Sequence, residues 1–435
     1  MSKMRFTVPL FLMLVITSPV MGAEPKGTLS LPEAIETAIH KNAAAKEAEE
    51  LKLGAEKEID STRADFFPKA SARYNYTRLE DKPFQRIGGI EMVVGDVNGH
   101  HWDVTLIQPL FKGFAITTRY AMASLSARIQ ELEWQQVILD VSREVKIAWF
   151  EALLSNKIEG VAEDNVRALT AHATDAEGFF RHGIIPLNDL LKSKVAVANA
   201  VQEREKARAG AEMARSRLYT VMGIGLDCES VPEDSELNSS ESYELRTLMD
   251  EAVKNRPVLA GFRLGIENSE KSVTLAKSAY YPEISLSGRY EQNGDDPGAE
   301  NNDFNNDHNA SVSLSATWVF FEWGKTGAEV SRQRFSKQAL VEKLKGVEDR
   351  IRLETKSAFL ELSVAKKNIT TAEEGLKQAK ESWRITNLQY QNQVTTSTEV
   401  LDARAFLSQA ETNYYRALYG YRIAVAGLES AVGRR

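Results

Sequence analysis

The chain states its layout twice. Phe66-Phe67-Pro68 returns as Tyr280-Tyr281-Pro282 at an offset of 214, and residues 34–42 (AIETAIHKN) align with residues 247–255 (TLMDEAVKN) at 213. Phe111-Lys112-Gly113 returns loosely as Glu322-Trp323-Gly324 at 211. From there the offset settles at 210: Ala148-Trp149 falls on Ala358-Phe359, Phe180 on Tyr390, Leu191 on Leu401, and residues 218–223 on 428–433. An offset held over about 75 residues is not a chance match, so whatever one copy folds into, the other must too. The expected units are a first repeat over residues 24–224, an acidic, Ser-rich linker over 225–243, and a second repeat over 244–435.

Residues 1–23 stand apart. Lys3 and Arg5 precede an apolar run from Phe6 to Val20, followed by Gly22 and Ala23, the order of a secretory signal peptide. Its removal takes the formal charge from −7 to −9, because Lys3 and Arg5 leave with it. An acidic balance of 61 Asp and Glu against 54 Lys and Arg speaks against a nucleic-acid partner, whose surface is usually basic. A mean hydropathy of −0.33 excludes a bundle of membrane-spanning helices. The single cysteine, Cys228, excludes a disulfide framework and Cys-based zinc sites.

Each repeat begins and ends as helix. Residues 31–66 are rich in Ala, Glu and Lys, good helix formers, until Pro68 ends the run. Residues 114–180 hold no proline, and Leu125, Ile129, Leu132 and then Val141, Val145, Ala148 and Ala152 recur in steps of three and four. That spacing draws one apolar stripe along a helix. Some 65 residues at 1.5 Å each make a rod of about 100 Å, which needs neighbours in a coiled coil or helical barrel.

Between the helices the period changes to two. Ala70, Ala72, Tyr74 and Tyr76 alternate with Ser71, Arg73, Asn75 and Thr77; Trp102, Val104 and Leu106 alternate with His101, Asp103 and Thr105. Ile284, Leu286 and Tyr290 oppose Ser285, Ser287, Arg289 and Glu291, while Val312, Leu314, Ala316 and Trp318 oppose Ser311, Ser313, Ser315 and Thr317. Four such strands fit an outer-membrane sheet, although a half-buried soluble hairpin alternates in the same way. Aromatics at the helix–strand junctions (Phe66, Phe67, Phe111, Phe114, Tyr280, Tyr281, Phe320, Phe321, Trp323) form the girdle expected at a membrane interface. Four strands leave two unpaired edges, which lipid does not tolerate; three chains would close twelve.

The repeat opening LSLPEAIETAIHKN, the aromatic-aromatic-proline junctions and the turns at 180–190 and 390–401 resemble the TolC-like outer-membrane efflux proteins over essentially the whole mature chain. The resemblance implies a mainly α, internally duplicated chain with membrane β-structure. It further implies a homotrimer with a twelve-stranded β-barrel (four strands per chain) in outer-membrane lipid, continuous with a helical barrel that crosses the periplasm of a Gram-negative cell. The tunnel would close at its inner tip, where a periplasmic adaptor (membrane fusion) protein and an inner-membrane pump engage it.

Carried over residue by residue, the resemblance centres on that tip. Gly183 keeps the family's turn glycine; Gln393 replaces it in the second copy, so that turn must change geometry or accept strain. Gly183, Ile184, Ile185, Gln393 and Val394 are then the adaptor-contacting residues. Asp189 and Tyr390 match a lock between neighbouring helices, while Thr395 replaces an arginine that shares in it. Glu399 and Asp402, three apart on one helix face, match an acidic ring in the pore. Local chemistry offers alternatives. Thr396 and Glu399 read as a capping box, Asp189 complements the dipole of a helix starting near Pro186, and Tyr390 serves equally as a packed aromatic.

Elsewhere the chemistry is thin. His100 and His101 point to opposite strand faces, and the acids of residues 292–309 read as a solvated loop. No nucleophile–base pair or phosphate loop stands out, so neither an enzyme, a metal site nor a cofactor is expected. The expected function is the passive exit duct of a tripartite efflux or type I secretion system. The alternative is a barrel-anchored coiled-coil surface protein, such as an adhesin, whose strands would sit together at one terminus instead of in two helix-flanked pairs.

Overall fold

The structure is a computed structural model that describes residues 27–228, 230–234, 243–304 and 306–435. The expected signal peptide lies outside these residues. A short strand β1 (Thr28–Leu29) leads into helices α1 (Leu31–Lys41) and α2 (Ala43–Ala64). Strand β2 (Lys69–Arg78), a hairpin of β3 (Phe84–Ile87) and β4 (Ile90–Val93), and β5 (Asn98–Lys112) follow. The long helix α3 (Ala115–Arg181) and its return α4 (Leu187–Met222) complete the first copy. After β6 (Val231–Pro232), the second copy runs α5 (Leu245–Asn255), α6 (Pro257–Lys277), β7 (Glu283–Gly294), β8 (His308–Thr317), α7 (Lys325–Gln391) and α8 (Ser397–Ala431). Helices α3 and α7 both have 67 residues, about 100 Å at 1.5 Å per residue. Among the described residues no helix is long and apolar enough to cross a membrane.

Two sequence expectations need correction. The first helix is not continuous from 31 to 66. It breaks at Asn42, whose backbone is extended and whose Oδ1 accepts from Ala44 N and Ala45 N at 2.8 and 3.3 Å, capping α2. In the second copy Pro257 forces the same break, because the residue before proline, Arg256, disfavours helix. The breaks at 42 and 256 also put the first repeat segment at an offset of 214, one residue from the 213 read off the sequence. Buried Ala34 and Ala38 of α1 thus correspond to Leu248 and Ala252 of α5.

Those buried residues explain why each copy carries a short leading helix. Helix α1 docks at the middle of α3, where Ala34 and Ala38 join Val145, Ala148, Trp149, Ala152, Leu218 and Met222 in one core. Helix α5 does the same on α7, with Leu248, Ala252, Leu259, Ile351, Leu362, Leu428 and Val432. The linker is held to this belt. Strand β6 pairs in parallel with β1, and Asp234 accepts from Tyr419 Oη at 2.8 Å and from Arg422 Nη1 at 3.0 Å. Cys228 is buried there, its Sγ 3.1 Å from Ser230 Oγ.

The four long strands form one sheet in the order β2-β5-β7-β8, antiparallel throughout, so β2 and β8 each have one unpaired edge. The register aligns the alternation across all four strands. One row reads Ala72–Val104–Tyr290–Ala310 and the next Ala70–Leu106–Gly288–Val312. The opposite face carries Arg73–Asp103–Glu291–Asn309 and Ser71–Thr105–Arg289–Ser311. At the junctions with the helices the aromatics are open, Phe320 at 80% and Trp323 at 91% exposure. The β3–β4 hairpin was not anticipated, although Gly88-Gly89 between Arg86-Ile87 and Ile90-Glu91 is a hairpin signal, and both glycines take positive φ.

Candidate functional site

At the end of the helical body farthest from the sheet, two hairpin turns project. The first joins α3 to α4 through residues 182–186, the second joins α7 to α8 through 392–396. Gly183 has φ +72° and Gln393 φ +61°, so the second turn keeps the glycine geometry and accepts the strain of a side chain in the left-handed region. The hydrogen bonds match as well. Gly183 N–H donates to Phe180 O at 2.9 Å and Ile184 N–H to Phe179 O at 2.9 Å; Gln393 donates to Tyr390 O at 2.9 Å and Val394 to Gln389 O at 2.8 Å. Both are Schellman closures, in which the last carbonyls of a helix are satisfied by the turn itself. They leave Ile184 and Val394 exposed, Val394 at 74%, while Ile185 is half-buried.

Below the turns Asp189 and Tyr390 make separate contacts. Tyr390 is buried, with its ring 4.6 Å from that of His172 and 5.5 Å from that of Phe179. Its hydroxyl lies beside Ser397 with no well-directed hydrogen bond, and none joins it to Asp189. Burial pushes the phenol pKa up, with the charges of Asp175 and Asp189 adding to it. Asp189 instead sits in the first turn of α4 with its Oδ1 3.9 Å from Lys192 Nζ, which reaches Thr398 Oγ1 on α8 at 3.4 Å. The link between hairpins on this side is therefore Asp189–Lys192–Thr398.

The acidic pair is separable from capping. Thr396 Oγ1 accepts from Glu399 N–H at 3.4 Å, but among the described residues no hydrogen bond returns from Thr396 N–H to the Glu399 carboxylate. By contrast Ser30 N–H does donate to Glu33 Oε2, at 3.0 Å, where α1 starts. The Glu399 carboxylate is thus free of the reciprocal half of a capping box. Glu399 and Asp402 are both exposed, three residues apart at the start of α8.

Sequence reasoning missed the polar contact between the hairpins. His172 Nε2 lies 2.8 Å from Ser397 Oγ, which lies 3.0 Å from Ser193 Oγ, joining α3, α8 and α4. The signal was present as seven-residue spacings. Asn165 to His172, Trp383 to Tyr390 and Ser397 to Arg404 each span one heptad, and Arg404 Nε donates to Asn165 Oδ1 at 3.0 Å. Among the described residues no group of three or more His, Cys, Asp or Glu side chains is placed to hold a metal. His100 and His101 go separate ways, to Tyr74 Oη at 2.7 Å and Asn293 Oδ1 at 2.6 Å.

An open sheet with one apolar and one polar face, mounted on paired 100 Å helices, fits a class: membrane proteins with a long water-side extension. The comparisons agree. The family model described as outer membrane efflux protein matches residues 34–224 and 248–434, one match per repeat, and the chain belongs to that family. It is 20% identical over 433 residues to outer membrane protein TolC of Escherichia coli K12, covering 95% of this chain and 82% of that protein. The fold is also that of the outer membrane protein VceC from Vibrio cholerae, at 15% identity and a TM-score of 0.77 over 93% of this chain and 96% of that one. The Campylobacter jejuni CmeC outer membrane channel is similar at 14% identity and a TM-score of 0.77, over 93% and 85%. The chain is therefore an outer-membrane protein that extends into the periplasm, of a channel family and not an enzyme family.

Proposed function

We propose that three copies of this chain assemble into the exit duct of a tripartite efflux or type I secretion system. The open sheet carries this reading. Strands β2 and β8 each expose a row of unpaired backbone groups, and an apolar face spans all four strands. In lipid those edges are satisfied only by pairing, and twelve strands from three chains close a barrel. The polar rows then line a water-filled lumen, and α2, α3, α4, α6, α7 and α8 continue it as a tunnel across the periplasm. In this reading the duct is passive, and an inner-membrane pump drives transport through it.

The tip is the regulated end. Exposed Ile184 and Val394, presented by the Gly183 and Gln393 turns with Ile185 beneath, form the surface for the periplasmic adaptor. Asp189 acts through Lys192 and Tyr390 through its ring on His172, each holding one hairpin against the other. Glu399 and Asp402 from three chains set an acidic ring that draws cations into the narrow end. Current across planar bilayers tests the duct: assembled protein inserted in lipid gives discrete conductance steps. A surface protein on a plugged anchor stays silent.

A further inference from the structure

The contact between the two hairpins is built from polar residues where a helical seam usually places apolar ones. His172 is 3% exposed, held to Ser397 by Nε2 and covered by the Tyr390 ring. Among the described residues its Nδ1 is buried with no hydrogen-bond partner, and the Tyr390 hydroxyl, beside Ser397, makes no well-directed hydrogen bond. Such atoms are uncommon in folded proteins and ask for a reason. Their position supplies one. His172 and Ser193 belong to the first hairpin, Tyr390 and Ser397 to the second, so any outward movement of α7 and α8 from α3 breaks this cluster and exposes the imidazole.

We propose that His172 is a proton-operated latch of the tip: neutral, it closes the seam onto Ser397; protonated, it releases the second hairpin and opens the tunnel. This rests on the duct reading above. The neutral ring satisfies Ser397 and tolerates a dry Nδ1. The cation makes both ring nitrogens donors and places a charged N–H where no acceptor faces it. The groups around it are few. Asp175 is the acid on α3 that acts on it, α7 contributes Tyr390, α8 contributes Ser397, and α4 contributes Ser193, with Asp189 one turn earlier.

The sign follows from burial. Desolvation holds the His172 pKa below its ordinary value, against the weaker pull of Asp175. In the opened tip the ring meets water and returns to about 6.5. Above that pH both forms are neutral and closure is undisturbed. Below it the proton binds the open form better, and each unit of difference favours opening about tenfold. A second titratable group in the seam acts the other way. Burial raises the Glu411 pKa in the closed form, against Arg404 and Lys380 and with Asp164 adding to it, so acid favours closure at that site.

The test uses full-length protein assembled in lipid vesicles, with nitroxide labels on Ile184→Cys and Val394→Cys in a Cys228→Ser background. Label separation is read at about pH 7.5 and about pH 5.5, on either side of the ordinary histidine value. The latch predicts a longer separation in acid, with the open fraction rising by up to about tenfold, the ceiling that one pH unit below the open-form value allows per histidine. His172→Gln, which keeps a donor and an acceptor but no titration, should hold the closed separation at both values. Glu411→Gln should retain the acid shift. Ser397→Ala, which removes the hydroxyl that His172 holds, should raise the open fraction already at neutral pH. An acid shift of wild-type size in His172→Gln, no shift in wild type, or no change in Ser397→Ala overturns the latch. Bilayer current separates the two proposals: labels that move without any current leave the latch standing and reject the duct, while pH-independent current with unmoving labels does the reverse.

Discussion

Gly223 lies against the backbone of Lys41, where a Cβ would strike the Lys41 carbonyl oxygen and come within 2.8 Å of Asn42 N. Its counterpart Gly433 lies against Asn255 and Arg256 in the same way, at 3.1 to 3.3 Å. Both take positive φ, +69° and +81°, and both close a helix at the point where the leading helix pair of the same copy breaks. The joint is completed by the break residues. Asn42 Nδ2 donates to Val221 O at 2.8 Å, and Arg256 Nη1 donates to Ser430 O at 3.0 Å. Duplication of the glycine thus records duplication of a packing contact.

Alanine at Gly223 should therefore cost more than the ~1–2 kcal/mol of a left-handed alanine alone, because the methyl also meets backbone that cannot move aside. Gly433→Ala, with looser contacts, should cost less. Gly54, in the interior of α2 with open space around it, is the control: alanine there should stabilise by roughly 0.5–1 kcal/mol. Thermal midpoints of the three variants in detergent check the order. Equal losses at 223 and 54 would mean the close approach is not there.

The strained turn predicts the opposite response. Gln393 holds φ +61° without being glycine, so Gln393→Gly should stabilise the α7–α8 turn by about 1 kcal/mol. Slower hydrogen exchange at the Gln393 and Val394 amides, which donate to Tyr390 O and Gln389 O, would report it. Faster exchange would show that the side chain contributes something the turn needs.

Sheet faces give a sharper contrast. Leu314 pairs with Leu286 on the apolar face, and Ser313 pairs with Ser287 on the other. Arginine at Leu314 should destabilise by about 2–4 kcal/mol near the bilayer midplane, whereas arginine at Ser313 should mainly change conductance. Chemical unfolding from lipid vesicles measures the first and bilayer current the second. Similar destabilisation at both positions would reverse or erase the assignment of faces.

How much of this was legible depends on what each signal measures. Periodicity found α3 to within a residue or two, because Leu125 through Ala152 record a continuous apolar stripe and no proline interrupts residues 114–180. It found the four main strands for the same reason. It missed the break at Asn42, since an asparagine among Ala, Glu and Lys looks like any helical surface residue until its side chain is seen capping Ala44 and Ala45. It placed Gly183 and Gln393 in equivalent turns but left the second geometry open, because only the backbone shows that both are left-handed. The acids and the tyrosine of the tip came from resemblance, whereas His172 came from neither route. A lone histidine in a long helix carries no signal until the second hairpin brings Ser397 and Tyr390 against it.

The tip residues divide accordingly. Tyr390→Phe removes a hydroxyl that makes no well-directed hydrogen bond among the described residues and should leave resting conductance near wild type; Tyr390→Ala removes the ring from His172 and Phe179 and should raise it. Glu399→Gln and Asp402→Ala should weaken block by a trivalent cation added on the periplasmic side while leaving thermal stability nearly unchanged, since neither carboxylate completes a cap. Single-channel recording reads both effects. Wild-type block in both acid variants would reduce them to helix-end residues.

The central claim, that one chain is a third of a channel, is tested most directly by the mass of the protein extracted in detergent. Light scattering corrected for bound detergent should give three times the mass of the mature chain, because β2 and β8 need partners from other copies. A monodisperse monomer that retains its β-structure would contradict it.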